Sequence, residues 1–494
     1  MSGLGPPDGA LPAVPGHAGV VSPRLPGLRQ DSLRFLGTVA NAVGIQAPVG
    51  GVSFLPALMA GIVGAAGPLS FLAAMVAMLF VAYAFVTFTR AFNSAGSVYA
   101  FNGRSLGPAY GFISVWLLLG VYIAYAAAVY ASNANALRVL ATDASLRVDP
   151  GLFTWVSGHW VVLAVLLWAL TIGLAYRSIR LSSTVILIAE GLALVLVALV
   201  AAAVIVHGGY RGHSLSATPF TPGGLGVATI GLGVVFAFTG FSGFEVAATL
   251  GEEASLPRRV VPAAMVGALL FSGGVYTLMA WVETVAFRSP AVLAAAADHG
   301  VPLVTVAQAY VSPAMGSLIL VAALVSGFGA QLACVNGATR LLYAMGRDHL
   351  GPHGLTRVSS RHQSPVGALG VVAVLSLVAF LPLIGGDPLS AFFDLATYGA
   401  DLIIVAYLLT VIAALAWSIR SGRRHPLHLV VLVAGALILG YILKSTILPI
   451  PAFPFNLLIL LTAVTVLVAV LMVALLPSLR RRLARAALVT TEPS

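Results

Sequence analysis

Three carboxyl groups, Glu190, Glu245 and Asp401, stand inside long apolar runs of this 494-residue chain. A carboxylate at the centre of a membrane helix costs about 3 kcal/mol, so an acid kept there marks a proton or ion path by default. Glu190 falls roughly seven residues into its run, about 10 Å from the inner face at ~1.5 Å rise per residue. Asp401 is more central, with Tyr398 and Asp394 earlier on the same helical side. The chemistry open to such groups is reversible protonation, provided they titrate within reach of neutral pH. The alternative is a hydrogen-bonded structural acid that never cycles. Glu245 lies nearer the cytoplasmic end of its run, and Glu252 and Glu253 beyond it read as solvated or paired with loop arginines.

A second set of groups belongs to the backbone. Gly44-Ile45-Gln46-Ala47-Pro48-Val49-Gly50-Gly51-Val52-Ser53 and Gly240-Phe241-Ser242-Gly243-Phe244 place proline and glycine at mid-membrane depth. A helix broken there frees backbone groups that lipid cannot satisfy, which is tolerated only inside protein or beside a polar cavity. Where the first helix resumes after Pro48, unsatisfied N–H groups and the positive dipole end suit an anion. Gly50 and Gly51 let a ligand approach. The second break offers carbonyls and Ser242 to an ammonium group, with Phe241 or Phe244 as apolar cover, and Gly243 marks the turn. Together the two breaks suit a zwitterion held by Gln46, Ala47, Pro48, Gly50, Gly51, Phe241, Ser242 and Gly243. Tyr122, Tyr125, Ser326 and Tyr398 are candidate side walls, though ordinary helix packing also explains each.

The elements that position these groups are legible from composition. Hydrophobic residues make up 60% of the chain and charged residues 8%, with a mean hydropathy of +1.02, where a soluble domain carries about a quarter charged. That excludes a water-soluble enzyme or nucleic-acid binder and implies an all-α polytopic membrane protein whose outer face meets the lipid bilayer. Apolar runs fall near 34–62, 69–90, 108–137, 153–175, 183–206, 224–249, 261–287, 314–346, 365–385, 389–418, 428–448 and 455–477, twelve spans in one transporter domain over residues 34–477. Residues 1–33 read as a disordered cytoplasmic tail without a signal-peptide core, and residues 478–494 as a basic cytoplasmic tail. With both termini inside, 20 of the 25 cations are cytoplasmic, and only Arg138, Arg147, Arg211, Arg288 and Lys444 lie outside, as the positive-inside rule requires. The membrane implied is the cell membrane. Cys334 is the single cysteine, so no intramolecular disulfide forms. The ten histidines show no metal-ligand spacing, and no phosphate-binding glycine loop is present. No metal or cofactor is expected.

The breaks are in the first and sixth spans. These are corresponding positions if ten helices form two five-helix halves of opposite topology, with two further C-terminal helices. A midplane site between inverted repeats then favours alternating access over a channel. Glycines serving only close helix packing are the simpler account, but that account leaves Pro48 unexplained. The short tails also argue against a sensor with a soluble output domain.

The stretch Phe236-Ala237-Phe238-Thr239-Gly240-Phe241-Ser242-Gly243-Phe244-Glu245, with Leu250-Gly251-Glu252-Glu253 and Pro257-Arg258-Arg259-Val260-Val261-Pro262 after it, resembles the sixth helix and following loop of amino acid permeases of the amino acid/polyamine/organocation superfamily. Asn93 to Tyr99 with Gly107 to Phe112, and Arg340 to Asp348 with Pro352 and Ser364-Pro365, are similar to two other segments of that family. The resemblance covers about residues 34–477 and implies a leucine-transporter-type core and an amino acid or amine substrate. Where the family often carries Gly-Ser-Gly or Gly-Thr-Gly, this chain has Ala47-Pro48-Val49-Gly50-Gly51. Sodium-coupled transporters of this fold use paired hydroxyls in span eight, but here Ser326 is followed by Gly327-Phe328-Gly329. Some proton-coupled relatives carry a lysine in span five, yet the only lysine is Lys444. The expectation is proton-coupled symport through Glu190 or Asp401, with Glu245 a third candidate, and with substrate exchange as the alternative. Oligomeric state is left open by the sequence.

Overall fold

A computed structural model describes residues 33–91, 98–141, 159–212, 214–251, 253–299, 301–380, 386–423, 425–448, 450 and 453–490. The expected N-terminal tail up to residue 32 lies outside them. The first break divides the opening span into α1 (Phe35–Gln46), α2 (Pro48–Val52) and α3 (Leu55–Val63), followed by α4 (Gly67–Ala91), α5 (Val98–Leu106) and α6 (Pro108–Ala141). Next come α7 (Trp160–Tyr176), α8 (Ile179–Val206), the second broken pair α9 (Val227–Phe241) and α10 (Val246–Thr249), and α11 (Pro257–Ala286). Two connectors, α12 (Pro290–His299) and α13 (Pro302–Tyr310), lead into α14 (Pro313–Arg347) and α15 (Val366–Phe380). The chain continues as α16 (Pro388–Arg420), α17 (Pro426–Ile447), α18 (Phe455–Leu475) and α19 (Pro477–Thr490).

Helices dominate because lipid supplies no hydrogen-bond partners, so each span must satisfy its own backbone. Prolines open α2, α11, α14, α16 and α17, where the missing N–H costs nothing. Ser178, Ser312 and Asp387 cap α8, α14 and α16 through side-chain oxygens. Among the described residues, ten helical stretches are long and apolar enough to cross a membrane, and Trp160–Tyr176 and Val366–Phe380 are shorter apolar helices. These two coincide with the expected fourth and ninth spans, and each borders residues outside the description. The connectors α5, α12 and α13 were not anticipated from hydropathy. Their residues are too mixed in character to stand out as apolar runs. The segment after residue 477, read from sequence only as a basic tail, continues as α19.

The core is built where α6 packs on α14 and α16, α4 on α11, and α8 on α14. Outward faces are aliphatic, as at Ile188, Leu192 and Val195 of α8 and Leu437 of α17, and meet lipid tails without penalty.

Two contacts close the ends of the bundle. On one side Ala57 and Ala60 of α3 pack against Leu293 of α12. On the other, the Leu33 N–H donates to Glu253 O and the Ser255 N–H to Leu33 O, both at 2.9 Å, beside a Leu33, Ile179 and Leu250 cluster. Arg340, counted among the cytoplasmic cations near the end of the eighth span, is 1% exposed. Its Nε donates to Glu253 Oε2 at 2.7 Å, Asn336 bridges it to Asn41 of α1, and Asn41 reaches Ser183 of α8 at 2.7 Å. A buried guanidinium is affordable here because a carboxylate and neighbouring carbonyls neutralise and bind it.

Candidate functional site

The two breaks meet. Ala47 takes a left-handed conformation, φ 41° and ψ 60°, between α1 and α2, and Pro48 at the start of the second segment keeps the two from joining as one regular helix. The Gln46 side chain then spans the gap, its Nε2 donating to Phe241 O at 3.1 Å while its Oε1 accepts from Ser272 Oγ at 2.7 Å. The Gln46 carbonyl, freed by the break, accepts from the Tyr276 hydroxyl at 2.6 Å. In the second break, Ser242 is extended and Gly243 has φ +97°, a conformation that favours glycine. A Cβ at Gly243 would overlap Ile45 of α1, and one at Gly51 would sit 2.5 Å from the Tyr276 ring. The glycines therefore serve backbone-to-side-chain closeness, and Phe241 packs edge-on to Tyr276, with ring centroids 5.7 Å apart.

The amides expected to await an anion after Pro48 are engaged by protein. The Val49 N–H donates to Glu190 Oε1 at 3.4 Å and the Gly50 N–H to Ser326 Oγ at 3.3 Å. Both bonds are long, but they place the span-five carboxylate and the span-eight hydroxyl at the N-terminus of α2, where the helix dipole favours negative charge. Glu190 is 4% exposed, and among the described residues its Oε2 has no hydrogen-bond partner.

Glu245 has different surroundings. The Tyr122 hydroxyl donates to its Oε1 at 2.9 Å, the Tyr407 hydroxyl donates to its Oε2, and Tyr407 also accepts from the Gly243 N–H at 3.1 Å. Tyr122 is thus an anchor for Glu245 beneath the break. The Tyr125 ring lies against Gly399 of α16, and among the described residues its buried hydroxyl makes no hydrogen bond within ordinary distance and angle. Asp401 is buried, and among the described residues its Oδ2 has no hydrogen-bond partner. The Tyr398 hydroxyl pairs with Thr465 Oγ1 of α18 at 2.8 Å, so the structure directs it to the twelfth span and away from the break. Ser242 Oγ donates to Phe238 O at 3.4 Å.

Ser272, Tyr276 and Tyr407 hold the breaks but were not singled out by sequence. The Ser272–Tyr276 spacing of one helical turn within span seven was the available signal. Glu283, further along α11, was also passed over. It is fully buried, and among the described residues neither carboxyl oxygen has a hydrogen-bond partner. Among the described residues no cluster of three His, Cys, Asp or Glu side chains is placed to hold a metal.

A profile of the amino acid permease family matches residues 33–486. The chain belongs to the amino acid permease family. It is therefore a multi-pass membrane transporter and not an enzyme. The permease is 25% identical over 363 residues to the branched-chain amino acid permease BcaP of Lactococcus lactis, covering 70% of this chain and 73% of that protein. It is 26% identical over 342 residues to BcaP of Bacillus subtilis, covering 67% and 70%. With the low-affinity putrescine importer PlaP of Escherichia coli it shares 27% over 337 residues, covering 64% and 69%.

Proposed function

We propose that this permease is a secondary transporter that carries a small amino acid or related amine across the cell membrane by alternating access, with both termini cytoplasmic and a proton as the coupling ion. The reading takes the two broken spans as equivalent members of inverted five-helix halves. It is supported by relatives named for branched-chain amino acid and putrescine transport.

The observation that carries the coupling is the Glu190 carboxylate at the α2 amides. A substrate carboxylate docking on that helix end meets an anion already there. At 4 Å two such charges repel by about 4 kcal/mol in a medium of effective dielectric ~20. A proton on Glu190 removes the repulsion and frees the Val49 amide, so substrate and proton bind cooperatively, and each tightens the other by the same factor. Glu245, held by two tyrosine hydroxyls below the site, is the third carrier candidate. Asp401 is the second carrier to test.

The experiment is binding and uptake in proteoliposomes. Wild-type protein should bind a branched-chain amino acid more tightly as pH falls and should accumulate it under an inward proton gradient. Glu190→Gln should bind with an affinity independent of pH and retain counterflow, yet lose gradient-driven accumulation. Accumulation that persists in both Glu190→Gln and Asp401→Asn, or a wild type that requires sodium and ignores pH, refutes proton coupling.

A further inference from the structure

Away from the breaks, the end of α18, the start of α6 and the helix α19 enclose a groove of about 440 Å³. Ala109 and Ile113 of α6, Val470 and Val473 of α18 and Leu483 of α19 give it apolar walls, and among the described residues Arg480 is the one charged side chain lining it. The α19 helix is anchored by buried Leu479 and Leu483, while Arg480, Arg481 and Arg482 are exposed. Arg480 Nε donates to Val473 O at 3.2 Å, which holds the guanidinium at the groove, and Arg482 is tied to Gly351 O at 3.3 Å. An amphipathic basic helix at the end of a membrane span lies at the headgroup level.

We propose that this groove binds an anionic phospholipid, with an acyl chain between α6 and α18 and the phosphate on Arg480. An aliphatic trough continuous with the bilayer suits a hydrocarbon chain. The guanidinium offers its remaining N–H groups to phosphate oxygens in a planar fork. Among the described residues no acid lines the groove, so a choline headgroup finds no counter-charge there, whereas glycerol or a second anionic group meets the exposed arginines of α19 and the positive N-terminal end of α6. The choice of an anionic over a zwitterionic lipid follows from that asymmetry. The proposal is independent of the substrate and coupling reading, since none of these residues touches the breaks.

The test uses the full chain, washed free of lipid in detergent, with native mass spectrometry and thermal unfolding as readouts. The probes are phosphatidylglycerol, phosphatidylcholine of the same acyl chains, and inorganic phosphate. Wild type should retain one phosphatidylglycerol in preference to phosphatidylcholine and unfold at a higher temperature with it. Arg480→Gln should weaken that retention by about fivefold, the loss of one lipid-facing cation. Arg480→Lys should recover part of it, which separates the charge from the planar fork. Ile113→Trp, which fills the trough, should abolish retention of both lipids. Equal retention of the two lipids by wild type overturns the proposal, as does unchanged binding in Arg480→Gln. A phosphate response matching that of phosphatidylglycerol would make the site ionic, and a dimer lost on Ile113→Trp would make the groove a contact between two copies of the chain. Either result also overturns it.

Discussion

Gly50, Gly51 and Gly243 lie within one site and differ in what an added methyl would meet. At Gly50 the nearest atoms are Ala47 Cβ at 3.7 Å and Ser326 Oγ at 3.9 Å, ordinary contacts. At Gly51 the methyl runs into the Tyr276 ring, and at Gly243 it runs into Ile45 while the backbone holds φ +97°. Gly50→Ala should therefore keep near-wild-type stability and substrate binding. Gly243→Ala should lose about 1–3 kcal/mol from strain alone, and more from the collision, with Gly51→Ala between them. Unfolding temperature and ligand binding of the three purified variants check the order, and a Gly243→Ala protein indistinguishable from Gly50→Ala would contradict it. The glycines and Pro48 were legible because their types are anomalous at membrane depth. Tyr276 and Tyr407 were not, since a tyrosine in a span looks the same whether it packs or caps a broken helix. That Val49 and Gly50 give their amides to Glu190 and Ser326 could not be read either, because it depends on how three distant spans converge.

Between elements, the Glu253–Arg340 pair joins the loop after α10 to α14, and Asn336 and Asn41 extend the link to α1. Both partners are almost fully buried. Removing one leaves an uncompensated charge, which costs about 3–5 kcal/mol, whereas removing both with apolar residues of similar volume is often close to neutral. Arg340→Met and Glu253→Leu should each be strongly destabilised, and the double variant should recover much of the loss. Thermal unfolding of the four proteins in one detergent decides the matter, since equal losses that simply add in the double variant would show two independent contacts. Hydropathy found the spans that carry these residues. It could not find the pairing, because Glu253 stands in the loop after the sixth span and Arg340 inside the eighth, and only the fold brings them together. The short connectors α5, α12 and α13 escaped for a different reason, having neither the length nor the apolar content of a span.

At the scale of the whole molecule, arginine placement predicts sidedness, and Cys334 makes that testable because it is the chain's single cysteine and is 1% exposed. Arg211→Cys should react with a membrane-impermeant maleimide on intact cells, Arg357→Cys only after permeabilisation, and wild type in neither condition. The reverse pattern would invert the topology. The alternation of twelve apolar runs was readable from the sequence alone. The closure of the bundle at Leu33 was not, because that contact belongs to the main chain: the Leu33 and Ser255 amides are its donors, and the Glu253 and Leu33 carbonyls accept. Such a clasp is invisible to side-chain mutagenesis. Alanine substitutions at Leu33 and Ser255 would preserve every one of its hydrogen bonds, and a loss at Leu33 would report only its side-chain packing against Ile179 and Leu250. Ser255→Pro removes one donor and should unfasten the segment, seen as faster amide hydrogen exchange at Leu33 than in Ser255→Ala. A dense substitution map of this protein will therefore understate the stretch that joins its first helix to the loop after its sixth span.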